Sequence, residues 1–216
     1  MYFWNVRNIA LSLVIGAATL GLLVSDAWAE GEAGSIRRWE LGGFFGFQTF
    51  ADGNRLSVPD DVTTSGLSLP KERSPFWGAR LSYSPIALVA LEIEAGQAPT
   101  SFSDTQVDVS TLLYRLQVVV HLKNPGPGIR PFLIAGVGGM RGTPSEALVT
   151  LQEEGEQLTL DTLTETDLET HLGLGLKYQL REAIGVRADL RLRWPSSSAE
   201  NDTRELEGVV GVYVRI

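Results

Sequence analysis

Apolar and polar residues alternate with a period of two along most of the chain beyond residue 37. In Glu205 to Ile216, Leu206, Val210, Val212, Val214 and Ile216 share one parity, and Glu205, Glu207, Gly211 and Arg215 share the other. That period places one side of a β-strand in an apolar medium and the other in a polar or crowded one. The same reading gives eight strand candidates, near 38–50, 76–84, 86–96, 111–122, 130–141, 168–179, 184–194 and 205–216. Gly, Pro, Asn and Asp collect between them, as turns require.

Two candidates are especially regular. Leu168, Leu172, Leu174, Leu176 and Tyr178 share a face, with Thr170 the one polar member, against Glu169, His171, Gly173, Gly175 and Lys177. Ile184, Val186, Ala188, Leu190, Leu192 and Trp194 oppose Gly185, Arg187, Asp189, Arg191 and Arg193. In the fourth candidate, Leu112, Tyr114, Leu116, Val118, Val120 and Leu122 oppose Arg115, Gln117 and His121. The fifth, from Phe132 to Gly139, is apolar on both parities, and the pattern leaves its faces unassigned. Ten residue steps at ~3.3 Å, tilted ~40°, rise about 25 Å, the height of the lipid-facing band of a membrane barrel.

The connections alternate in length. Ser84-Pro85, Lys123 to Gly128 and Gln179 to Ala183 are short, whereas 51–75, 97–110, 142–167 and 195–204 are longer and polar. Both ends of the strand series fall on the short-connection side. The expected fold is therefore all-β: a closed, eight-stranded, antiparallel up-and-down transmembrane barrel.

A soluble eight-stranded barrel, with its apolar set inside around a ligand, is the structural competitor. Residue size decides between them. Gly42, Gly46, Gly78, Ser82, Gly173, Gly175, Gly185 and Gly211 share the parity of the charges. Alternating large and small side chains suit a lumen that side chains must fill, and serve no purpose on a solvated exterior. Trp39, Trp77, Tyr83, Tyr178 and Trp194 fall near strand ends on the apolar parity. A ring with an apolar body and a polar edge suits a membrane–water interface.

This parity points Glu40, Glu92, Glu94, Glu169, Asp189, Glu205 and Glu207 inward, with Arg80, Arg115, Lys177, Arg187, Arg191, Arg193 and Arg215. The two sets are equal in number, so they can neutralise one another, as burial demands. The arrangement reads either as a plug of salt bridges that holds the barrel shut and fixes strand register, or as an ion pathway with a gate. The plug is favoured.

Residues 1–29 read as a cleaved secretory leader. Arg7 precedes an apolar run from Ile9 to Val24, and Ala27-Trp28-Ala29 fits a small-x-small cleavage site. That leaves 30–216 as one barrel domain. No later stretch reaches the ~20 consecutive apolar residues of a spanning helix, so a membrane role requires strands closed into a barrel. The net charge of −8 argues against nucleic acid as a partner. Cysteine is absent, which excludes disulfide staples and thiolate metal sites.

Four features together resemble the OmpA-type family of eight-stranded outer-membrane barrels. They are the leader, Trp39-Glu-Leu-Gly-Gly-Phe-Phe-Gly-Phe47 as a first strand, Arg130-Pro-Phe-Leu-Ile-Ala-Gly-Val-Gly138 as a Pro-aromatic…Gly-x-Gly fifth strand, and the alternating last strand. The resemblance implies the outer membrane of a Gram-negative bacterium and contact with outer-membrane lipid and lipopolysaccharide. It also implies reading of the C-terminal strand by the insertion machinery, although Ile216 stands where a terminal Phe is usual. A monomer is expected. The expected function is non-enzymatic: envelope integrity, with surface contacts through the long connections. A narrow gated pore and a loop-mediated adhesin are the alternatives.

Some small outer-membrane barrels are enzymes, and those need a general base. His121 and His171 are the two histidines, and neither begins the His-x-Ser pair of deacylase-type barrels. His121 is expected as a solvated end residue beside a turn, and His171 in a lumen hydrogen bond. The connection 142–167 is acidic, with Glu146, Glu153, Glu154, Glu156, Asp161, Glu165 and Asp167. It lacks the ligand spacing of a calcium loop and reads as solvated. No catalytic residue, metal site or cofactor is assigned.

Overall fold

The computed structural model describes residues 38–49, 73–101, 108–144, 151–153, 156–158, 166–196 and 204–216. The expected leader and most of the acidic connection lie outside them. In chain order the strands are β1 (Trp39–Thr49), β2 (Arg73–Ile86), β3 (Val89–Ser101), β4 (Asp108–His121), β5 (Gly128–Pro144), β6 (Leu151–Glu153), β7 (Glu156–Leu158), β8 (Thr166–Gln179), β9 (Ile184–Pro195) and β10 (Glu205–Arg215). Eight of them close into one barrel in the order β1-β10-β9-β8-β5-β4-β3-β2, and β6 pairs only with β7. Every pairing is antiparallel, including the seam where β1 meets β10. The expected architecture is the observed one. The β6–β7 hairpin inside the acidic connection is additional, because three-residue strands are too short to register as a period.

The register fixes the shape. From Glu205, opposite partners run through Arg193, His171, Gly136, Gln117, Glu92, Ser82 and Glu40 to Arg215. The path returns to β10 ten residues beyond its start. With ~3.3 Å per residue and ~4.8 Å between strands, that stagger sets a tilt of about 40° and a backbone radius of about 8 Å. A lumen so narrow is one that side chains largely fill.

Burial alternates along the strands as the sequence period demands: eBeBeBeBeBi in β1 and eBeBeBeBeBiB in β9, where B is buried and e exposed. The apolar parity faces out, with Ile93, Leu174 and Val212 each about 60% exposed. In water such a belt would far exceed the few hundred Å² of apolar patch that soluble monomers tolerate. Inside, Phe44, Phe76, Ala98, Leu113, Met140 and Val209 pack toward the long-connection end, and Ala90, Val119, Phe132 and Ile134 toward the other.

Several strand boundaries differ from expectation, and two connections differ most. The turn placed at Ser84-Pro85 is instead Ala87-Leu88, with a register shift between Tyr83 and Ile86. A bulge there accommodates Pro85, whose missing N–H a regular ladder would not tolerate. The second long connection shrinks, because β3 runs to Ser101 and β4 begins at Asp108. At the β4–β5 connection Gly128 has φ +92°, a backbone conformation that a side chain would strain.

Candidate functional site: the lumen charge network

β5 takes its facing from size. Arg130, Phe132, Ile134, Gly136, Gly138 and Met140 point inward or lie on the inward parity, and Ile129, Leu133 and Val137 on the outward one. A side chain at Gly136 would overlap the His171 ring, and one at Gly138 would overlap Arg115. The two glycines are therefore the recesses into which the bulky groups of β4 and β8 fit.

All the inward charges named from sequence line the lumen, and all are buried except the partly exposed Arg215. Arg191 donates to both oxygens of Glu94, at 2.6 and 2.7 Å, and to Asp189 at 2.5 and 2.9 Å. Arg187 donates to both oxygens of Glu92, at 2.7 and 2.9 Å, and to Asp189 at 3.0 Å. Arg115 grips Glu207 through two bonds of 2.7 and 2.8 Å and gives its Nε–H to Glu169 at 2.5 Å. Arg193 pairs with Glu205, and lies 3.4 Å from both Glu169 and Glu207. These forks are the strong class of charge-assisted bond, and they offset part of the desolvation of both partners.

Neutral groups complete the mesh. Gln117 donates to Glu92 and, at 3.1 Å, to Glu94, while its carbonyl lies 2.9 Å from His171 Nε2. Ser82 donates to Glu92. The lumen hydrogen bond expected of His171 is present. Arg80 is the loosest member: it makes no hydrogen bond among the described residues, and its carboxylate neighbours Glu94, Asp189 and Glu92 stand at 3.5, 3.7 and 4.0 Å. It lies 4.8 Å over the Phe44 ring instead.

That contact recurs. Arg187 lies 4.5 Å over Phe132, and Lys177 5.1 Å over Tyr213. Each ring in turn covers a glycine on the adjacent strand: Phe44 over Gly78, Phe132 over Gly175 and Tyr213 over Gly185. Glycine, ring and cation thus stack from the wall toward the axis.

Near the short-connection end, Lys177 pairs with Glu40, which Arg215 also approaches at 3.1 Å. Arg130 bonds to the carbonyls of Lys123 (2.8 Å) and Ala87, tying two turns together. The sequence left Arg130 unassigned, yet it shares the parity of Gly136 and Gly138, and glycines mark the lumen face elsewhere. His121 is a correction. It is 2% exposed, not solvated, because its inward parity sets it against Phe132, with ring centroids 6.0 Å apart. Asp167 is also a correction: it belongs to β8 and is buried, rather than to a solvated loop.

The aromatics Trp39, Trp77, Tyr83, Tyr178 and Trp194 lie on the outward parity near strand ends, and Trp39 stacks on Tyr83 at 4.7 Å. A groove of about 750 Å³ on the outer wall dips where Gly43 and Ala188 stand among Phe45, Val210 and Val212. No group of three or more His, Asp or Glu suited to a metal occurs among the described residues.

A model of the outer membrane protein beta-barrel domain matches residues 15–213. The chain belongs to that family. This outer-membrane barrel is therefore a resident of the Gram-negative outer membrane, with short turns facing the periplasm and long connections facing outward. Among solved structures, neisserial surface protein A is 10% identical over 82% of this chain and 97% of that one, with a TM-score of 0.54. The N-terminal barrel domain of Pseudomonas aeruginosa OprF is 17% identical over 81% and 96%, with a TM-score of 0.48. The attachment invasion locus protein Ail of Yersinia pestis is 13% identical over 83% and 99%, with a TM-score of 0.47. At such identity the neisserial likeness bears on the fold alone. No curated protein sequence matches the barrel.

Proposed function

We propose that the protein is a non-enzymatic structural component of the outer membrane, a barrel sealed by its own lumen that supports envelope integrity. One observation carries the reading. Arg187, Arg191, Arg115 and Arg193 bridge Glu92, Asp189, Glu94, Glu207, Glu169 and Glu205 in one connected mesh across an eight-stranded lumen. An ion would have to break several charge-assisted bonds in a low dielectric to pass.

In this reading residues 1–29 direct export and are removed, and the barrel inserts through its C-terminal strand and works as a monomer. Trp39, Trp77, Tyr83, Tyr178 and Trp194 hold its height in the bilayer. The long connections meet lipopolysaccharide and the surroundings, and no residue has a catalytic role.

Planar-bilayer recording of the refolded barrel tests the seal. The expected result is no resolved channel event across a wide voltage range. Discrete, reproducible openings would replace the plug with the narrow-pore reading. A deletion strain should also become more sensitive to detergent, and unchanged sensitivity would remove the envelope role. Host-surface binding that disappears when 142–167 is deleted would favour the adhesin instead.

A further inference from the structure

A groove climbs the outer wall from the periplasmic rim, and we propose that it binds one anionic phospholipid of the inner leaflet. An acyl chain fills the groove, and the phosphate meets Lys123 and Arg181. The register shows how the groove is built. Ile129, Tyr178, Val186, Val212 and Gly43 stand opposite one another in turn, a single cross-strand row over five neighbouring strands, and all of them line it. Its volume of about 750 Å³ lies in the range of pockets that hold small ligands.

The row is inclined. Ile129 is the second residue of β5 and Tyr178 the last but one of β8, both at the periplasmic end, whereas Gly43 is the fifth residue of β1. Four interstrand steps of ~4.8 Å, at the barrel's tilt of about 40°, carry the groove roughly 12 Å into the membrane. One leaflet of a ~30 Å hydrocarbon core is about 15 Å deep. The groove thus spans a single leaflet, the periplasmic one, and follows the course of one acyl chain.

Gly43 and Ala188 form its floor, and Phe45, held edge-on to Phe47 with centroids 5.1 Å apart, walls its deep end. The packing of the barrel does not call for that glycine. A Cβ at Gly43 would stand 3.9 Å from its nearest neighbour, the Gly78 carbonyl oxygen, against 2.8 Å at Gly42 and 2.5 Å at Gly46. The inward glycines make room for the lumen, whereas Gly43 makes room outside.

The periplasmic end supplies the charge. Gly128 pairs with Gln179, which sets the β4–β5 and β8–β9 turns side by side at the mouth of the groove. Lys123 opens the first turn, its carbonyl held by Arg130 Nε at 2.8 Å. Arg181 lies in the second, three residues beyond Tyr178, with its N–H bonded to the Ile184 carbonyl at 3.0 Å. Both residues are exposed, and Glu182 is the one acid in either turn. A cation at a membrane surface favours an anionic headgroup by about fivefold, so two cations against one acid leave a preference of that order. Tyr178, with its apolar ring and polar tip, suits the level between chain and headgroup.

Native mass spectrometry of the barrel refolded in maltoside micelles tests the site, with phosphatidylglycerol and phosphatidylcholine of equal chain length added together. One retained phosphatidylglycerol per barrel, saturable and favoured about fivefold over phosphatidylcholine, is expected. Replacing both cations, Lys123→Gln with Arg181→Gln, should remove the preference and leave chain binding. Gly43→Leu, which fills the floor without touching the lumen, should lower retention of both lipids several-fold. If it fails to refold, Ala188→Leu carries the test. The proposal is overturned if the folded barrel retains no lipid, if filling the floor changes nothing, or if no headgroup preference exists or the double variant keeps it. A dimer mass that Gly43→Leu abolishes would assign the groove to a second copy of the chain and overturn it too. The sealed lumen stands or falls separately, by conductance.

Discussion

Arg191 is the residue on which most of the mesh depends, because it serves Glu94 and Asp189 together and lies 3.3 Å from Glu207. Replacing it by Met strands those carboxylates in a low dielectric. Loss of one partner from a buried ion pair costs about 3–5 kcal/mol. Chemical unfolding of Arg191→Met in liposomes should show a loss of that order, and adding Glu94→Gln should recover part of it. A loss below about 1 kcal/mol would mean that water reaches the network. Glycines give a contrast of similar clarity. A Cβ at Gly175 would overlap the Phe132 ring and stand 2.6 Å from the Ala188 carbonyl oxygen, whereas one at Gly208 meets nothing within 4 Å. Gly175→Ala should destabilise by about 1–3 kcal/mol. Gly208→Ala should be neutral or stabilising by up to about 1 kcal/mol. Equal effects in the same unfolding assay would contradict the recess described for Gly175.

At the scale of the strand, exposure of Leu174 and Ile184 to lipid rather than water makes charge expensive in proportion to depth. Leu174→Arg, near the middle of β8, should cost about 2–4 kcal/mol, and Ile184→Arg, at the first residue of β9, about 0–1 kcal/mol. On a water-facing surface both would be near neutral, so equal and negligible losses in reversible unfolding would place the apolar face elsewhere. The strands whose two parities differ in chemistry were legible in the sequence. β8 and β9 separate Leu and Val from Glu and Arg, as β10 does apart from the inward Val209, and their observed facing follows that separation. β5 was not legible, since Phe132 and Ile134 face inward while Leu133 and Val137 lie on the opposite parity. Hydrophobicity cannot tell a lumen filled by aromatics from a wall bathed in lipid. The burial of His121 was hidden for the same reason, because it depends on Phe132 across the ladder. Pro85 misled in another way: proline normally marks a turn, but here a bulge lets β2 continue to Ile86.

At the scale of the molecule, closure leaves no free edge on the eight barrel strands, so the barrel should resist denaturation by detergent until heated. Unboiled and boiled samples of the refolded chain should migrate differently on a denaturing gel. The unboiled form should resist protease except at its long connections. One band position for both samples would be incompatible with a closed membrane barrel. The mesh fits the same picture, because its pairs link residues as distant as Glu40 and Arg215 and tie the first barrel strand to the last.

The seam between β1 and β10 has a consequence for assembly. Backbone hydrogen bonds alone do not distinguish the native alignment there from one displaced by two residues, since both keep the same faces inward. Side-chain volume does. Natively Gly42 meets Tyr213, Phe44 meets Gly211 and Gly46 meets Val209, a small residue against a larger one each time. A two-residue slip one way sets Gly42 against Gly211 and Gly46 against Glu207, opening a void on the wall and moving charge off its partners. A slip the other way drives Phe44 into Tyr213. The final joint of the barrel is therefore proofread by fit: a chain that closes wrongly leaves a hole or a collision, and only the correct closure fills its own interior.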